Sequence, residues 1–309
     1  MKSEIKKILV TGVKGFMGSN TAKHFKSLGY ETYGLGHGDI STKELIEYGL
    51  DYWKNSEITI QAIKDYANNF DVIVHCGGSG SVGFSVENPY LDFKKTVDGT
   101  LEVLEYMRLY SPKSHLIYPS SPAVQGDHRD EPINEEFIGK PCSPYGYHKK
   151  IAEELCRSYA EKFNLNISIV RLFSVYGIGL RKQLLWDAIN KIKQATCAVE
   201  FWGTGQETRD FIHVEDVMNI FEKVLFVNDN YMVINGGTGS KMTVEKVVTK
   251  IRDNLQSNVE IRFNNQANVG NPIYYWADVN KLNGICISSF LSFDDAIKDY
   301  ISWANEQKN

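Results

Sequence analysis

Two side chains in this 309-residue chain are spaced to do acid–base chemistry together. Tyr145 and Lys149 stand four residues apart in the run Ser143-Pro144-Tyr145-Gly146-Tyr147-His148-Lys149-Lys150-Ile151-Ala152-Glu153. On a helix that spacing puts both on one face. Pro144 suits a first helical turn, where its missing N–H is no loss. Behind it Ile151, Leu155, Tyr159 and Phe163 recur every four residues, which predicts an amphipathic helix. A free phenol has a pKa of ~10, so a phenolate base working near neutrality needs roughly 4 kcal/mol of stabilisation of its anion. A nearby ammonium, joined by a second cation, is a source of that stabilisation. The same spacing also fits an ordinary surface helix with an aromatic near its start, so the choice turns on what lies upstream.

Upstream, Lys7-Ile8-Leu9-Val10-Thr11 is a short β-rich run that stops at Gly12. Gly12, Gly15, Phe16, Met17 and Gly18 then form a G-x-x-G-x-x-G turn leading into a helical stretch. Glycine permits the tight turn and lets backbone approach a pyrophosphate, which sits on the helix N-terminus. The strand before and the helix after favour a dinucleotide over a ligand-free turn. An acid is expected at the end of the second strand to bond the adenosine ribose. The chain reads Leu35-Gly36-His37-Gly38-Asp39 there, so that acid is missing or displaced to Asp39 beside His37. No arginine stands there for a 2′-phosphate, and Lys14 in the loop suits either such a contact or plain solvation. NAD is expected, with NADP left open.

The elements that must position these residues alternate along the chain. Strands are predicted at Lys7–Thr11, Glu31–Leu35, Phe70–His75, His115–Pro119 and Asn166–Leu172. Helices are predicted through Ala22, Phe25 and Leu28, over 92–110 with Phe93, Val97, Leu101, Leu104 and Met107 on one stripe, and after Pro144. Such alternation predicts an α/β fold, a doubly wound and mostly parallel sheet with ligands beyond its carboxyl ends. Gly12, Gly77, Ser121 and Ser174 all follow predicted strands, so they should converge on one crevice. After about Gly177 the alternation loosens into helices at 184–193, 214–227, 243–255 and 293–303 and a short strand at 199–202. A nucleotide-binding domain is placed at 1–176, with 214–236 returning to its sheet. A smaller discontinuous lobe takes 177–213 and 237–309.

The net charge of −4 gives no basic surplus for nucleic acid or anionic membrane. Five cysteines (Cys76, Cys142, Cys156, Cys197 and Cys286) are scattered and never spaced C-x-x-C, which argues against a disulfide framework or a zinc knuckle and for a reducing, cytoplasmic compartment. The start, Met1 through Lys2, Glu4, Lys6 and Lys7, has no signal-peptide apolar stretch, and no run is long and apolar enough to span a membrane.

With these pieces in order, the chain resembles the extended short-chain dehydrogenases/reductases, and among them the NAD-dependent epimerase/dehydratase family that modifies sugar nucleotides. The resemblance runs from about Lys7 to Trp303. It rests on the glycine turn, His75-Cys76-Gly77-Gly78, Glu87-Asn88-Pro89-Tyr90, Val97-Asp98-Gly99-Thr100, Ser120-Ser121-Pro122-Ala123-Val124-Gln125-Gly126, Tyr145 with Lys149, Arg171-Leu172-Phe173-Ser174-Val175-Tyr176-Gly177, and Arg209-Asp210-Phe211-Ile212-His213-Val214.

The resemblance implies roles. Ser121 takes the family's Ser/Thr position, bonding the sugar oxygen and the tyrosine. Tyr145 is the base, and Lys149 holds the nicotinamide ribose and lowers the tyrosine's pKa. Gly77 and Gly78 pass along the cofactor's diphosphate and ribose. Glu57 and Ile58 match an acid-plus-apolar pair against the adenine. Thr96 and Ser174 stand where the family often has asparagine. Ser79, Ser121, Ser174, Lys182, Phe201 and Arg209 are expected on the substrate side, with Arg209 on a diphosphate, a task suited to a guanidinium fork. An interlobe salt bridge with Asp210 is the plainer role for Arg209. The family's second phosphate arginine, near Gly270, is replaced by Asn268.

Departures narrow the chemistry. The 4,6-dehydratases carry an Asp-Glu pair where this chain has Pro122 and Ala123. The epimerase/reductases of GDP-fucose synthesis need a cysteine and a histidine where it has Ala123 and Gly179. What remains is hydride and proton transfer at C4 of a nucleotide-diphosphate sugar, expected as a 4-epimerase. A 4-dehydrogenase or 4-ketoreductase would use the same triad. A non-catalytic dinucleotide-binding sensor or scaffold would be expected to lose the tyrosine or lysine, and this chain keeps both. Family members pair through two helices, so a homodimer through 92–110 and 145–163 is expected.

Overall fold

The structure is a computed structural model and describes residues 6–67, 69–266, 272–285 and 289–307. The Met1–Glu4 start, Asn268, Gly270 and Cys286 lie outside the described residues.

The main sheet uses strands β1 (Lys7–Thr11), β2 (Glu31–Gly36), β3 (Tyr52–Asn55), β4 (Val72–His75), β5 (His115–Ser120) and β6 (Asn166–Leu172). Short strands follow: β7 (Ser174–Tyr176), β8 (Ala198–Phe201), β9 (Thr208–Arg209) and β10 (Phe211–His213), then β11 (Tyr231–Gly236), β12 (Met242–Thr243) and β13 (Glu260–Phe263). The seven-stranded sheet has the order β11-β6-β5-β4-β1-β2-β3, with every pair parallel. Strands β4 and β5 are buried along their whole length. Their apolar runs suit a sheet covered by helices on both faces. The chain order reverses between β1 and β4, and this switch point opens a crevice beyond their carboxyl ends.

The helix predicted over 92–110 has a fault in it. It begins as Pro89–Phe93, passes through a π-helical turn at Lys94–Asp98 and continues as Gly99–Tyr110. Such wider turns accommodate an extra residue and often mark functional sites.

The long helix runs Pro144–Phe163. The Ser143 side chain caps it by accepting from the Gly146 N–H, and Asn164 ends it in a left-handed conformation with φ of 55°. Its predicted apolar stripe is split, with Leu155 and Tyr159 half-buried against the core and Ile151 and Phe163 at the surface. Ala152, Cys156 and Ala160 are the fully buried positions, while Ile151 is 41% and Phe163 47% exposed. Small side chains let the helix lie close to the sheet, while Ile151 and Phe163 point outward. Leu101 is likewise exposed on the other helix, where Leu104 and Met107 are buried.

A second core gathers Leu185, Ile189, Val199, Phe201, Val247, Ile251, Ile297 and Tyr300 around helices Gln183–Gln194, Val244–Asn254 and Phe293–Glu306. Strands β13 and β8 pair parallel beneath it. Among the described residues, no helix is long and apolar enough to cross a membrane.

Candidate active site

The glycine turn packs with no room to spare. Gly12 has φ of +68° and donates its N–H to the Leu35 carbonyl at 2.8 Å. A Cβ on Gly12 would lie 2.8 Å from the Gly77 nitrogen, and one on Gly18 only 2.3 Å from the Gly12 oxygen. Strand ends β1 and β4 therefore meet backbone to backbone. Thr11 holds that contact: its Oγ1 accepts from the Gly77 N–H at 2.9 Å and bonds His75 Nδ1 at 2.8 Å. Helix Phe16–Ser27 starts at Gly15 with no side-chain cap, and Phe16 and Met17 are half-buried at its head. Uncapped N–H groups at a helix start favour an anion.

The walls of the crevice carry the other expected residues. Ile58 covers Gly77, since a Cβ there would lie 2.3 Å from Ile58 Cδ1. Gly78 has φ of +143° and faces Thr96 on the π turn. The Thr96 hydroxyl and His75 Nε2 are buried with no hydrogen-bond partner among the described residues. Burial pushes the His75 imidazole down to about 3, so it is neutral. The glycine cradle, the uncapped helix and these orphaned polar atoms fit an extended, phosphate-bearing ligand such as a dinucleotide.

At the β2 end, His37 and Glu57 are exposed and pair at 3.5 Å. Asp39 is turned aside: its Oδ1 accepts from Asn55 Nδ2 at 2.9 Å, and its carbonyl accepts from Lys14 Nζ at 3.4 Å. The displaced acid thus serves the loop itself.

Ser121 follows β5 directly, half-buried, with its hydroxyl accepting from the Ala123 N–H at 3.2 Å. Its hydroxyl is also near enough to the phenols of Tyr145 and Tyr275 to favour their ionised forms. Lys149 is buried, and its Nζ donates to the Pro119 carbonyl at 2.8 Å and to the Tyr118 hydroxyl at 3.2 Å, 4.5 Å from that ring. Burial moves the ammonium down to about 8, against the pull of Cys76 and Glu153. Burial also pushes the Tyr145 phenol up to about 12, with Ser121 working the other way and Asp92 adding to the rise. The expected lowering of Tyr145 by Lys149 is therefore absent, because the ammonium is spent on β5 and desolvation dominates at the phenol.

Beneath Ser121, Ser120 Oγ donates to Glu153 Oε1, and Glu153 pairs with Arg171 Nη2 at 2.7 Å. This buried network ties β5, β6 and the long helix together.

On the substrate side, the Lys182 ammonium lies beside Gly80, next to Ser79. Ser174 opens β7 with its N–H on the Asp210 carbonyl at 2.9 Å. Arg209 makes no ion pair among the described residues. Its Nη1 donates to the Thr208 carbonyl, and its guanidinium lies 6.0 Å from the Tyr275 ring. Asp210 does not pair with it; that carboxylate accepts from Thr238, Gly239 and Ala277. Phe201 needs correction. It is 4% exposed, packed in the second core against Phe263, because the strand alternation turns it inward. Trp202, the next residue, is 56% exposed. Tyr275 and Asp92 are further site residues that the motifs did not single out.

The arrangement joins a hydroxyl, a phenol and a buried ammonium beside a cradle for a dinucleotide. Residues 8–235 match the model of the NAD dependent epimerase/dehydratase family. The chain is similar to a putative UDP-glucose 4-epimerase of Methanocaldococcus jannaschii, with 28% identity covering 96% of this chain and 97% of that protein. It is also similar to a UDP-glucuronate 4-epimerase of Thermodesulfobacterium geofontis, 25% identical over 96% of each. A solved UDP-glucuronic acid 4-epimerase of Bacillus cereus, in complex with UDP-glucuronic acid and NAD, shares the fold at a TM-score of 0.84 and 23% identity, covering 97% of this chain and 99% of that one. With its family motifs in sequence order and the match running over residues 8–235, the chain belongs to the NAD dependent epimerase/dehydratase family.

Proposed function

We propose that this chain is an NAD-dependent 4-epimerase of a nucleotide-linked sugar, with a UDP-sugar as substrate. The observation that carries the reading is the meeting of Ser121, Tyr145 and Lys149 beside the glycine cradle. The names of the similar proteins support the UDP-sugar and the C4 position.

Gly12, Gly15 and Gly18, with the N–H groups of Phe16 and Met17, would hold the diphosphate of NAD. Gly77, Gly78, Thr96 and Lys149 would hold its nicotinamide half, and Ile58 and Glu57 its adenine end. When bound, NAD supplies the hydride acceptor and donor and, when oxidised, a positive charge. Tyr145 removes the proton of the C4 hydroxyl and returns it to O4 after the C4 ketone is reduced from the opposite face. With the phenol near 12, roughly one molecule in 10^5 is ionised at pH 7, so added positive charge is what makes it a usable base. Lys149, near 8, is still charged at pH 7, but its ammonium is held by Pro119 and Tyr118, so the added charge has to come from the oxidised cofactor. Ser121 orients the sugar oxygen. Ser79, Lys182, Ser174 and Arg209 would line the nucleotide-sugar side.

The second core, built from 176–201, 211 and 242–304, supports a division into a nucleotide-binding part (1–176 with 214–236) and a sugar-nucleotide part (177–213 and 237–309), although Ile212, Leu282 and Phe290 pack on the first core. Exposed Leu101, Leu109, Tyr110, Tyr147, Ile151 and Phe163 on the two long helices support a homodimer. The scattered cysteines, free thiols at all four positions among the described residues, fit the reducing cytoplasm.

The test is to incubate purified protein and NAD with UDP-glucose and UDP-glucuronate, following sugar stereochemistry by NMR and absorbance at the NADH band. A mixture of C4 epimers without net NADH, lost in Tyr145→Phe, is expected. A ketone accumulating with stoichiometric NADH makes the enzyme a dehydrogenase, and no turnover of any nucleotide sugar refutes the enzymatic reading.

A further inference from the structure

The turn after β2 has no part in the chemistry above. An acid is expected there, and Gly36-His37-Gly38-Asp39 stands in its place. The turn sits where that acid would work. Thr11 of β1 pairs with Leu35 of β2, and a Cβ on Gly36 would lie 3.8 Å from the Gly12 Cα, so the end of β2 abuts the glycine turn. In a dinucleotide site the adenosine ribose lies beside these two segments, and an acid at the end of the second strand bonds its 2′-hydroxyl.

Bonds from β3 hold the turn in a shape that ties up its own acid. Asn55 uses both ends of its amide: Oδ1 accepts from the Gly38 N–H at 2.8 Å, and Nδ2 donates to Asp39 Oδ1 at 2.9 Å. Trp53 Nε1 donates to the Gly38 carbonyl at 3.2 Å. Gly38 makes the bend with φ of +82°, which a side chain would strain. The other carboxylates nearby are also engaged. Glu57 stands 3.5 Å from His37, and Glu44 closes a capping box with Ser41. The group that does reach the bend is a cation. Lys14, exposed in the glycine turn, has its Nζ 3.0 Å from the place of a Gly38 Cβ and 3.4 Å from the Asp39 carbonyl oxygen. That one long bond leaves two of the ammonium's three donors unspent among the described residues. An acid at this place accepts a free 2′-hydroxyl and repels a 2′-phosphate, and an ammonium reverses the preference.

We infer that Lys14 is a 2′-phosphate-binding residue, and that this chain takes the 2′-phosphorylated dinucleotide NADP as well as NAD. The inference rests on the glycine turn being a dinucleotide site and not on the sugar chemistry. The proton and hydride steps lie at the other end of the cofactor.

Calorimetric titration of the full chain with NAD and with NADP, after copurified nucleotide is removed on charcoal, tests it in the parent and in three variants. The parent should bind NADP within about tenfold of NAD. Lys14→Met should weaken NADP about tenfold, the effect of one hydrogen bond to a charged group, and leave NAD within about twofold. Lys14→Arg should keep both affinities. His37→Asp restores a carboxylate at the strand end, so NADP should weaken about tenfold while NAD holds or tightens. NADP bound more than about tenfold more weakly than NAD in the parent overturns the inference and leaves the dinucleotide site standing. An equal loss of both dinucleotides in Lys14→Met, or in His37→Asp, does the same. Binding of neither dinucleotide by the parent overturns it together with the cofactor reading, so the two failures are told apart.

Discussion

Replacing Lys149 with methionine removes the catalytic ammonium and is expected to make the protein more stable, in a manner that depends on pH in one direction. Burial holds the ammonium down to about 8. A free lysine ionises at ~10.4, so the folded state disfavours the charged form by roughly 3 kcal/mol. Below pH 8 the lysine is charged in both states, and the whole penalty falls on the native protein. As the pH rises from 8 through ~10.4 the unfolded chain loses its proton too, and the penalty fades. Methionine escapes it and keeps its contact with the Tyr118 ring, where the ammonium now sits at 4.5 Å. It leaves the Pro119 carbonyl without its 2.8 Å donor, an offset of about 1 kcal/mol. The net gain near pH 6–7 is about 2 kcal/mol, or roughly 4 °C in Tm. Calorimetric melts of both proteins from pH 6 to 10.5, with turnover measured alongside, check this. The expected record is an inactive variant that melts higher at neutral pH, with the gain shrinking to nothing or slightly below at the alkaline end. A variant that melts lower at pH 6–7, or a difference flat across the range, refutes the reasoning.

Other substitutions probe the rest of the site. Glu153→Gln leaves the buried Arg171 charge uncompensated, where the pair now stands at 2.7 Å; a loss of about 3–5 kcal/mol, seen as a Tm lower by about 6–10 °C, is expected, and an unchanged melt counts against the network. Gly18→Ala drives a Cβ to 2.3 Å from the Gly12 oxygen, so NAD affinity by calorimetry should fall more than about tenfold. Gly15→Ala, whose Cβ meets only that oxygen at 3.2 Å, should lose less, and equal losses would disprove the packing argument. Ile151→Glu should reduce the particle mass by light scattering from twice the 35.0 kDa of the chain to a single copy, and an unchanged mass removes the long helices from the pairing surface.

Much of this architecture could be read from the chain. Strands β4 and β5 are buried on both faces, so they stand out as short apolar runs, and the helices between them follow from spacing. The glycine turn was legible because a chain that passes 2.8 Å from its neighbour tolerates no side chain. Other features have no local signal. The four-residue stripe on Pro144–Phe163 only half marked the inward face: Leu155 and Tyr159 pack on the core, but its centre is built from Ala152, Cys156 and Ala160, whose small size carries little hydropathy contrast. In β8 the alternation that buries Val199 also buries Phe201, and only the packing partners decide which of the two faces turns inward. β3 is a four-residue edge strand with two exposed ends, too short for a pattern. The ionisation of Tyr145 is raised chiefly by desolvation in the folded crevice, and no spacing rule in the sequence gives burial.

The π-helical turn at Lys94–Asp98 acts as a gauge within one continuous rod. A helix rotates by ~100° per residue, so excising a single residue there would relax the widened loop and spin everything downstream by that angle. Thr96 would swing off Gly78 at one end, and at the other Leu101 and Leu109 would trade the solvent side for the sheet side, displacing Leu104 and Met107. The crevice and the outer flank of the molecule are thus keyed to each other by the length of one turn, and a change of length there cannot alter one without the other.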